Sequence, residues 1–180
     1  MYIGEVLQVD IANGPGMRTT VFVSGCRRHC RGCFNEVAWD FRYGKRMDEA
    51  LIRKILEMTE PGYVAGMTLL GGEPLEKENQ EGVLQLLEAL HGKMPEKTVW
   101  CYSGYTLEEI LDGAVRTEWT DRILGHIQVL VDGPFVEEEK DLTLRFRGSR
   151  NQRILDLPGS LRAGKAVEWK DDPLFASHEL

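Results

Sequence analysis

Three of the four cysteines in this 180-residue chain lie within eight residues, spaced as Cys26-x3-Cys30-x2-Cys33. They follow an apolar run at 21–23, which predicts that a buried strand ends just before the cysteine loop. Three thiolates from one short loop can hold three metal atoms of a cubane iron–sulfur cluster and leave the fourth without a protein ligand. Because a small molecule can bind at such an open metal position, this loop constrains both the fold and the function.

Two other uses of the cysteine loop stay open on spacing alone. Structural zinc sites usually take four ligands from two separated pairs, so zinc here would need Cys101 or His29 as a further ligand. A dithiol switch made of Cys30 and Cys33 would leave Cys26 unused. Thiolates are soft ligands that suit iron–sulfur clusters, so the spacing favours a cluster without excluding zinc. We expect Cys101, in the middle of a predicted strand, to pack in the core.

The rest of the chain alternates strands, glycine-rich loops and helices. Strands are predicted at 19–24, 67–70, 98–102 and 127–131, and helices at 48–60, 78–91 and 106–112. This alternation implies parallel strands joined by crossover helices, in an open sheet or in part of a barrel. Ligands gather at the carboxyl ends of such strands. We therefore expect the cysteine loop, the Gly-Gly-Glu-Pro stretch at 71–74 and the Asp-Gly pair at 132–133 to share one rim.

Charge and hydropathy narrow the possible partners and the location. The formal net charge of −7 argues against general affinity for nucleic acid or for an anionic membrane, since both need a basic field. The sequence has no apolar stretch close to the ~18 residues of a membrane span, and its first residues lack the pattern of a signal peptide. We therefore expect a cytoplasmic protein that binds neither nucleic acid nor membrane. In that reducing compartment, clustered cysteines indicate metal or redox chemistry.

Several motifs occur in a fixed order along the chain. Residues 14–33 read Gly-Pro-Gly-Met-Arg-Thr-Thr-Val-Phe-Val-Ser-Gly-Cys-x3-Cys-x2-Cys, which resembles the signature of radical S-adenosylmethionine (SAM) enzymes. More narrowly, it resembles the activating enzymes of glycyl-radical enzymes. Further motifs lie at 71–75 (Gly-Gly-Glu-Pro-Leu), 129–135 (Val-Leu-Val-Asp-Gly-Pro-Phe) and 146–153 (Phe-Arg-Gly-Ser-x-Asn-Gln-Arg). Together they resemble the family that activates anaerobic (class III) ribonucleoside-triphosphate reductases, over residues 9–157.

The resemblance implies a fold and a reaction. The fold would be α/β, a partial (truncated) TIM-like β/α barrel of the radical SAM type at 1–157, followed by a C-terminal extension at 158–180. Cys26, Cys30 and Cys33 would bind one 4Fe–4S cluster, and the amino and carboxylate groups of SAM would chelate its fourth iron. An electron from the cluster would cleave SAM, and the resulting 5′-deoxyadenosyl radical would take a hydrogen from a glycine of the partner. Cluster and SAM carry this chemistry, so no side chain is expected to be catalytic.

The resemblance also implies contacts to SAM from two strand ends. Gly71, Gly72 and Glu73 would lie against the methionine end of SAM, since adjacent glycines present bare backbone groups. An ordinary turn is the alternative explanation for these glycines. Asp132 would reach SAM from another strand end, although an Asp before Gly also begins turns.

The adenine of SAM would lie beside the third cysteine. Gly32, Cys33 and Phe34 would border the ring. Many relatives have an aromatic residue just before the third cysteine, where this chain has Gly32, so Phe34 would supply the stacking surface instead. The implied protein partners are the glycyl-radical loop of the large subunit of the anaerobic reductase and a flavodoxin-like electron donor.

Three other functions remain open. The chain could activate a different glycyl-radical enzyme, of the pyruvate formate-lyase type, although its four cysteines exclude the ferredoxin-like insert of several such activases. It could be a zinc-stabilised binding domain without catalysis. It could also be a radical SAM enzyme for a small molecule, but 180 residues fall short of the roughly 250 typical of a full barrel. A truncated barrel has an open side, which suits a protein loop as substrate. The role of the motif at 147–153 does not follow from the sequence.

Overall fold

A computed structural model of the chain describes residues 1–170, which form one seven-stranded sheet with its helices. None of the described helices is long and apolar enough to cross a membrane. The strands are β1 (Tyr2–Asp10), β2 (Met17–Val23), β3 (Lys45–Arg46), β4 (Val64–Gly71), β5 (Thr98–Tyr102), β6 (Val129–Asp132) and β7 (Arg153–Asp156). The α-helices are α1 (Glu49–Thr59), α2 (Lys77–Lys93), α3 (Leu107–Leu111), α4 (Thr120–His126) and α5 (Leu157–Ala163).

The sheet has a parallel centre and antiparallel edges. Its strand order is β3-β1-β2-β4-β5-β6-β7. Strands β2, β4, β5 and β6 run parallel, whereas β1, β3 and β7 run antiparallel to their neighbours. The α/β class predicted from the sequence is confirmed. Because the four central strands are parallel, their carboxyl ends all meet at one edge of the sheet.

All of the predicted strands and helices are present, with small shifts at their ends. A capping box opens α3, since the side chains of Thr106 and Glu109 each accept a hydrogen bond from the other's backbone N–H. Helix α2, predicted at 78–91, continues through Gly92 to Lys93. Five further elements are not among those predicted from the sequence: β1, β3, β7, α4 and α5. Four of these elements have at most seven residues. The fifth, β1, has nine residues, but its burial pattern does not alternate regularly.

Successive side chains of β5 point to opposite faces of the sheet and belong to two different hydrophobic clusters. Val99 and Cys101 belong to the larger cluster, which also contains the leucines of α2. Trp100 lies on the opposite face, in a smaller cluster with Val129 and Val131. Cys101 is fully buried, so its predicted place in the core is confirmed.

The smaller cluster is covered by residues from later in the chain. Phe146 meets the Trp100 ring edge-on at 5.4 Å between centroids, and Trp169 does so at 5.0 Å. The Trp169 N–H donates to Ile154 O, which aligns this segment with β7. The predicted extension therefore packs against the sheet through Trp169. Its last ten residues, 171–180, lie outside the described part of the chain.

A buried arginine joins three strands near their amino-terminal ends. Arg18 Nε donates to Thr68 Oγ1 at 2.7 Å, and Nη2 donates to Met67 O at 2.8 Å and to Thr98 O at 2.9 Å. Gly14, at φ +127°, leaves room for this side chain, because a Cβ there would lie 2.8 Å from Arg18 Cδ. The glycine at position 14 is thus explained by packing against Arg18.

Two histidines join α2 to α4. His91 Nδ1 and His126 Nδ1 are 2.7 Å apart, and His91 Nε2 lies 3.0 Å from Lys97 O. Since a carbonyl only accepts, His91 Nε2 carries a proton, and in a neutral pair His126 Nδ1–H donates to His91 Nδ1. Burial and the neighbouring His91 lower the pKa of His126.

Candidate functional site

A cavity of about 510 Å³ lies at the carboxyl ends of the parallel strands. The residues of its wall come from the cysteine loop, from the ends of β4 and β5, and from the segment after β6. The structure brings eight of the nine predicted site residues into this wall: Cys26, Cys30, Gly32, Cys33, Phe34, Gly71, Gly72 and Glu73. Asp132 is not among the wall residues.

The cysteine loop is held against the segment that follows it. Gly25, at φ +100°, has no room for a side chain, because a Cβ would overlap the Phe41 ring. Its N–H donates to Ala38 O at 2.8 Å, and the next N–H, that of Cys26, donates to Trp39 O at 3.2 Å. These contacts attach the start of the cysteine loop to the segment at 38–41.

Gly72 packs directly on the cysteine loop. A Cβ there would lie 2.6 Å from Gly25 O and 2.8 Å from Ala38 O. Its N–H donates to Val23 O at 2.7 Å, and the Glu73 N–H donates to Gly25 O at 2.8 Å. The requirement for glycine at this strand end is thus already explained by backbone packing within the protein.

Glu73 is a buried carboxyl group that joins two loops of the rim. It accepts hydrogen bonds from Leu75 N at 2.9 Å, Gly104 N at 2.7 Å and Ser103 Oγ at 3.0 Å. Burial raises the pKa of Glu73 to about 7, although these hydrogen bonds act in the opposite direction. Glu73 therefore fixes the loop after β4 to the loop after β5.

Asp132 is engaged by the scaffold rather than by the cavity. Its buried carboxylate accepts from Arg153 Nε at 2.9 Å and Nη2 at 2.5 Å, and from Leu107 N at 2.7 Å. This fork pairing joins the end of β6 to β7 and to the start of α3. The carboxylate therefore serves as an anchor of the scaffold, and its expected contact with SAM stays a prediction.

The motif at 147–153, whose role the sequence did not give, closes the loop after β6. Gln152 Oε1 accepts from Gly148 N at 2.9 Å and Ser149 N at 3.2 Å, and its Nε2 donates to Gly133 O at 3.1 Å. Arg147 Nη1 donates to Gln152 O at 2.7 Å, and Arg147 also lines the cavity.

Other wall residues were missed by the sequence analysis. Tyr102 is the last residue of β5, and the parallel-strand rule could have placed it at the rim. Lys140, Leu142, Leu144 and Phe146 come from an irregular segment whose sequence has no periodic signal. Their place in the wall depends on how the chain returns from β6 to β7.

The cysteine loop also carries three arginines, each of which contacts a glutamate of a different part of the chain. Arg27 contacts Glu76, Arg28 contacts Glu109 and Arg31 contacts Glu137. These ion pairs attach the loop to the start of α2, to α3 and to the segment after β6. The basic residues beside the cysteines thus largely serve as anchors of the loop.

The thiols fit an iron–sulfur cluster in number and in chemistry. Burial raises the pKa of Cys26 to about 11, so a bound metal has to displace the thiol proton. The Asn35 N–H donates to Cys33 Sγ at 3.4 Å, the kind of contact that tunes a cluster. Within residues 1–170, no three His, Cys, Asp or Glu side chains converge on one ion. A cubane does not require such convergence, since each thiolate binds a different iron.

Neither of the two additional ligands considered for zinc belongs to the described wall of the cavity. Cys101 is buried in the larger cluster and is absent from the described wall of the cavity, and its thiol lies 3.8 Å from Tyr102 O. The His29 ring stacks on Trp39, with 4.5 Å between centroids. The arrangement favours three thiol ligands over a four-ligand zinc site.

Comparisons with known proteins agree with this reading of the cysteine loop. A family model described as a 4Fe-4S single cluster domain matches residues 12–155. Proteins named anaerobic ribonucleoside-triphosphate reductase-activating protein are similar over most of the chain. That of Vibrio cholerae is 38% identical over 148 residues, covering 81% of this chain and 92% of the relative. That of Escherichia coli K12 is also 38% identical with the same coverage, and that of enterobacteria phage T4 is 32% identical over 156 residues, covering 86% and 93%.

Proposed function

The chain belongs to the family of anaerobic ribonucleoside-triphosphate reductase-activating proteins, and from this membership we propose that it is a radical SAM enzyme that generates a glycyl radical on an anaerobic ribonucleotide reductase. When bound, one 4Fe–4S cluster supplies the electron that cleaves SAM reductively. The proposed partners are the large subunit of the reductase and a flavodoxin-like electron donor, in the cytoplasm.

The observation that carries the proposal is the meeting of three thiols with the Gly-Gly-Glu end of β4 in one cavity. We assign Cys26, Cys30 and Cys33 to the cluster. The backbone at 71–73 is assigned to the methionine end of SAM, and Gly32, Cys33 and Phe34 to its adenine. Phe34 supports this assignment because it is 81% exposed and so is free to stack on a ring. Asp132 is assigned a scaffolding role instead.

The fold suits a protein substrate. We propose that the adjacent parallel strands β2, β4, β5 and β6 form a partial TIM-like barrel of the radical SAM type, spanning 1–157, with 158–180 as an extension. The antiparallel strands at both edges leave such a barrel unclosed. An opening beside the cavity would admit a glycine-bearing loop of the reductase, which a closed barrel would exclude.

Anaerobic reconstitution tests the cofactors. We expect about four irons and matching sulfide per chain, and an electron paramagnetic resonance spectrum of the reduced protein that changes when SAM is added. Zinc without sulfide, or a cluster indifferent to SAM, would instead support a binding domain. Incubation with reductase carrying deuterated glycine tests the product, because a radical on glycine changes its hyperfine splitting on deuteration. If a radical forms only on a pyruvate formate-lyase type enzyme, the chain is the activase of that enzyme instead.

Cysteine variants test which thiols hold the cluster. Replacing Cys26, Cys30 or Cys33 with Ala should abolish iron retention and SAM cleavage, because each thiolate holds a separate iron. Cys101→Ala is the matched control. It should keep both iron retention and SAM cleavage, since the side chain of Cys101 is buried in the larger hydrophobic cluster. Loss of iron in Cys101→Ala would contradict the open-iron assignment.

A further inference from the structure

The three arginines of the cysteine loop differ in how far their charges are neutralised. Arg27 Nη1 lies 2.8 Å from Glu76, and its Nη2 contacts Glu78. Arg31 Nε lies 2.8 Å from Glu137, with Glu138 at 3.6 Å. By contrast, the single ion pair that the described residues give Arg28 is a long one, 3.4 Å to Glu109.

Arg28 is also the arginine that lines the cavity. Of the three, it alone belongs to the described wall, together with Cys26 and Cys30 on either side of it. Its guanidinium carbon lies 4.7 Å from the centroid of the Tyr105 ring, a cation–π contact. Its stem packs on Gly104, where a Cβ would lie 3.0 Å from Arg28 Cγ. The side chain is only 24% exposed, so its position is set by packing.

The guanidinium of Arg28 has more N–H donors than hydrogen-bond partners among the described residues. Arginine carries five N–H donors in a rigid fork, and one of them has a partner among the described residues. Glu73, the buried acid of the same wall, already accepts three hydrogen bonds and forms no ion pair with Arg28 within residues 1–170. The fork is therefore available to a ligand, and a carboxylate matches it in charge and in geometry.

We propose that Arg28 binds the carboxylate of an amino-acid ligand in the cavity. This rests on the proposed function, in which that ligand is the methionine end of SAM. Lys140 and Arg147 are also cations of the wall, but they belong to the segment after β6. Arg28 lies on the loop that carries the thiols, where a ligand bound to the open iron has its amino-acid end.

The test combines the removal of the Arg28 guanidinium with the removal of the carboxylate from the ligand. Reconstituted wild type, Arg28→Gln and Arg31→Gln are titrated by equilibrium dialysis with SAM and with decarboxylated SAM. Arg31→Gln makes the same charge change in the same loop, at a side chain that is 83% exposed and outside the wall. Arg28→Gln should weaken SAM binding about 10- to 100-fold, as expected for a charge-assisted hydrogen bond, and leave decarboxylated SAM unaffected. Arg31→Gln should leave the dissociation constants of both ligands unchanged.

Three results would overturn the assignment. If Arg28→Gln leaves the dissociation constant for SAM unchanged, or weakens the binding of both ligands equally, Arg28 does not bind the carboxylate. If Arg147→Gln weakens SAM binding selectively, and by more than Arg28→Gln does, the carboxylate is bound by the segment after β6 instead. Iron content is measured for every variant. Should Arg28→Gln fail to load iron, Arg28→Lys keeps the charge without the fork and should show a smaller selective loss. Failure of the wild type itself to bind SAM would refute the proposed function instead.

Discussion

Replacing Gly72 with Ala tests how the end of β4 supports the cysteine loop. The new Cβ would lie 2.6 Å from Gly25 O and 2.8 Å from Ala38 O. Both oxygens belong to the backbone, so no side-chain rotation can relieve the contact. To restore an ordinary separation of 3.4 Å, the two segments must move apart by about 0.6–0.8 Å.

The expected effect follows from this displacement. Overpacking of this kind costs about 1–3 kcal/mol of unfolding free energy, which for a chain of this length corresponds to a fall in Tm of about 2–12 °C. Functional groups have to be held within about 0.5 Å of their productive geometry. Because Gly25 directly precedes Cys26, we expect Gly72→Ala to load less iron than the wild type, and its weaker SAM binding to follow from that loss.

The assay combines thermal unfolding of the metal-free protein with iron and sulfide analysis after reconstitution. Gly92→Ala is the matched control, because a Cβ there meets nothing within 4 Å and alanine favours the helix by about 1 kcal/mol. Its Tm should stay the same or rise, with normal iron content. If Gly72→Ala has the wild-type Tm and iron content, the packing argument is refuted. Weaker SAM binding at normal iron content would show that this glycine serves the ligand.

Two further variants test contacts outside the cavity. Arg153→Met leaves the buried Asp132 carboxylate without its ion pair, so the free energy of unfolding should fall by about 3 kcal/mol in urea denaturation. Combining it with Asp132→Asn should cost less than the two single losses together, whereas strictly additive losses would contradict the pairing. The lowered pKa of His126 means that folding favours its neutral ring, so stability is complete above a pH of about 6.5 and is lost as the pH falls further. His126→Gln should flatten the fall of Tm between about pH 7.5 and 5.5, and an unchanged pH profile would refute the role of His91 and His126.

The rim of the site could be predicted because its signals are local. The spacing of Cys26, Cys30 and Cys33 is contained in eight residues, and the glycines at 71–72 directly follow an apolar strand. One topological rule, that parallel strands present their carboxyl ends at the same edge, then brings these stretches together. This rule places the two stretches at one edge without any knowledge of the distances between their residues.

The role of Asp132 could not be predicted, because it depends on a contact between distant residues. Its partner Arg153 lies 21 residues later, and the two face each other only in the antiparallel register of β6 and β7. No periodic signal predicts β7, because this strand has four residues and one buried position. An Asp at a strand end therefore indicated a ligand contact, although the fold uses it as an anchor.

The residues between the thiols perform two functions that the spacing alone does not separate. In an acidic chain, three arginines in one loop could be taken as a basic patch for an anionic partner. The glutamates at the start of α2 and after β6 instead use Arg27 and Arg31 to anchor the loop. That anchoring leaves Arg28, whose guanidinium lies on an aromatic ring beside the cavity, as the cation of this loop that is available to a ligand. Which arginine anchors and which one binds is therefore decided by the position of the glutamates, far from the cysteines in sequence.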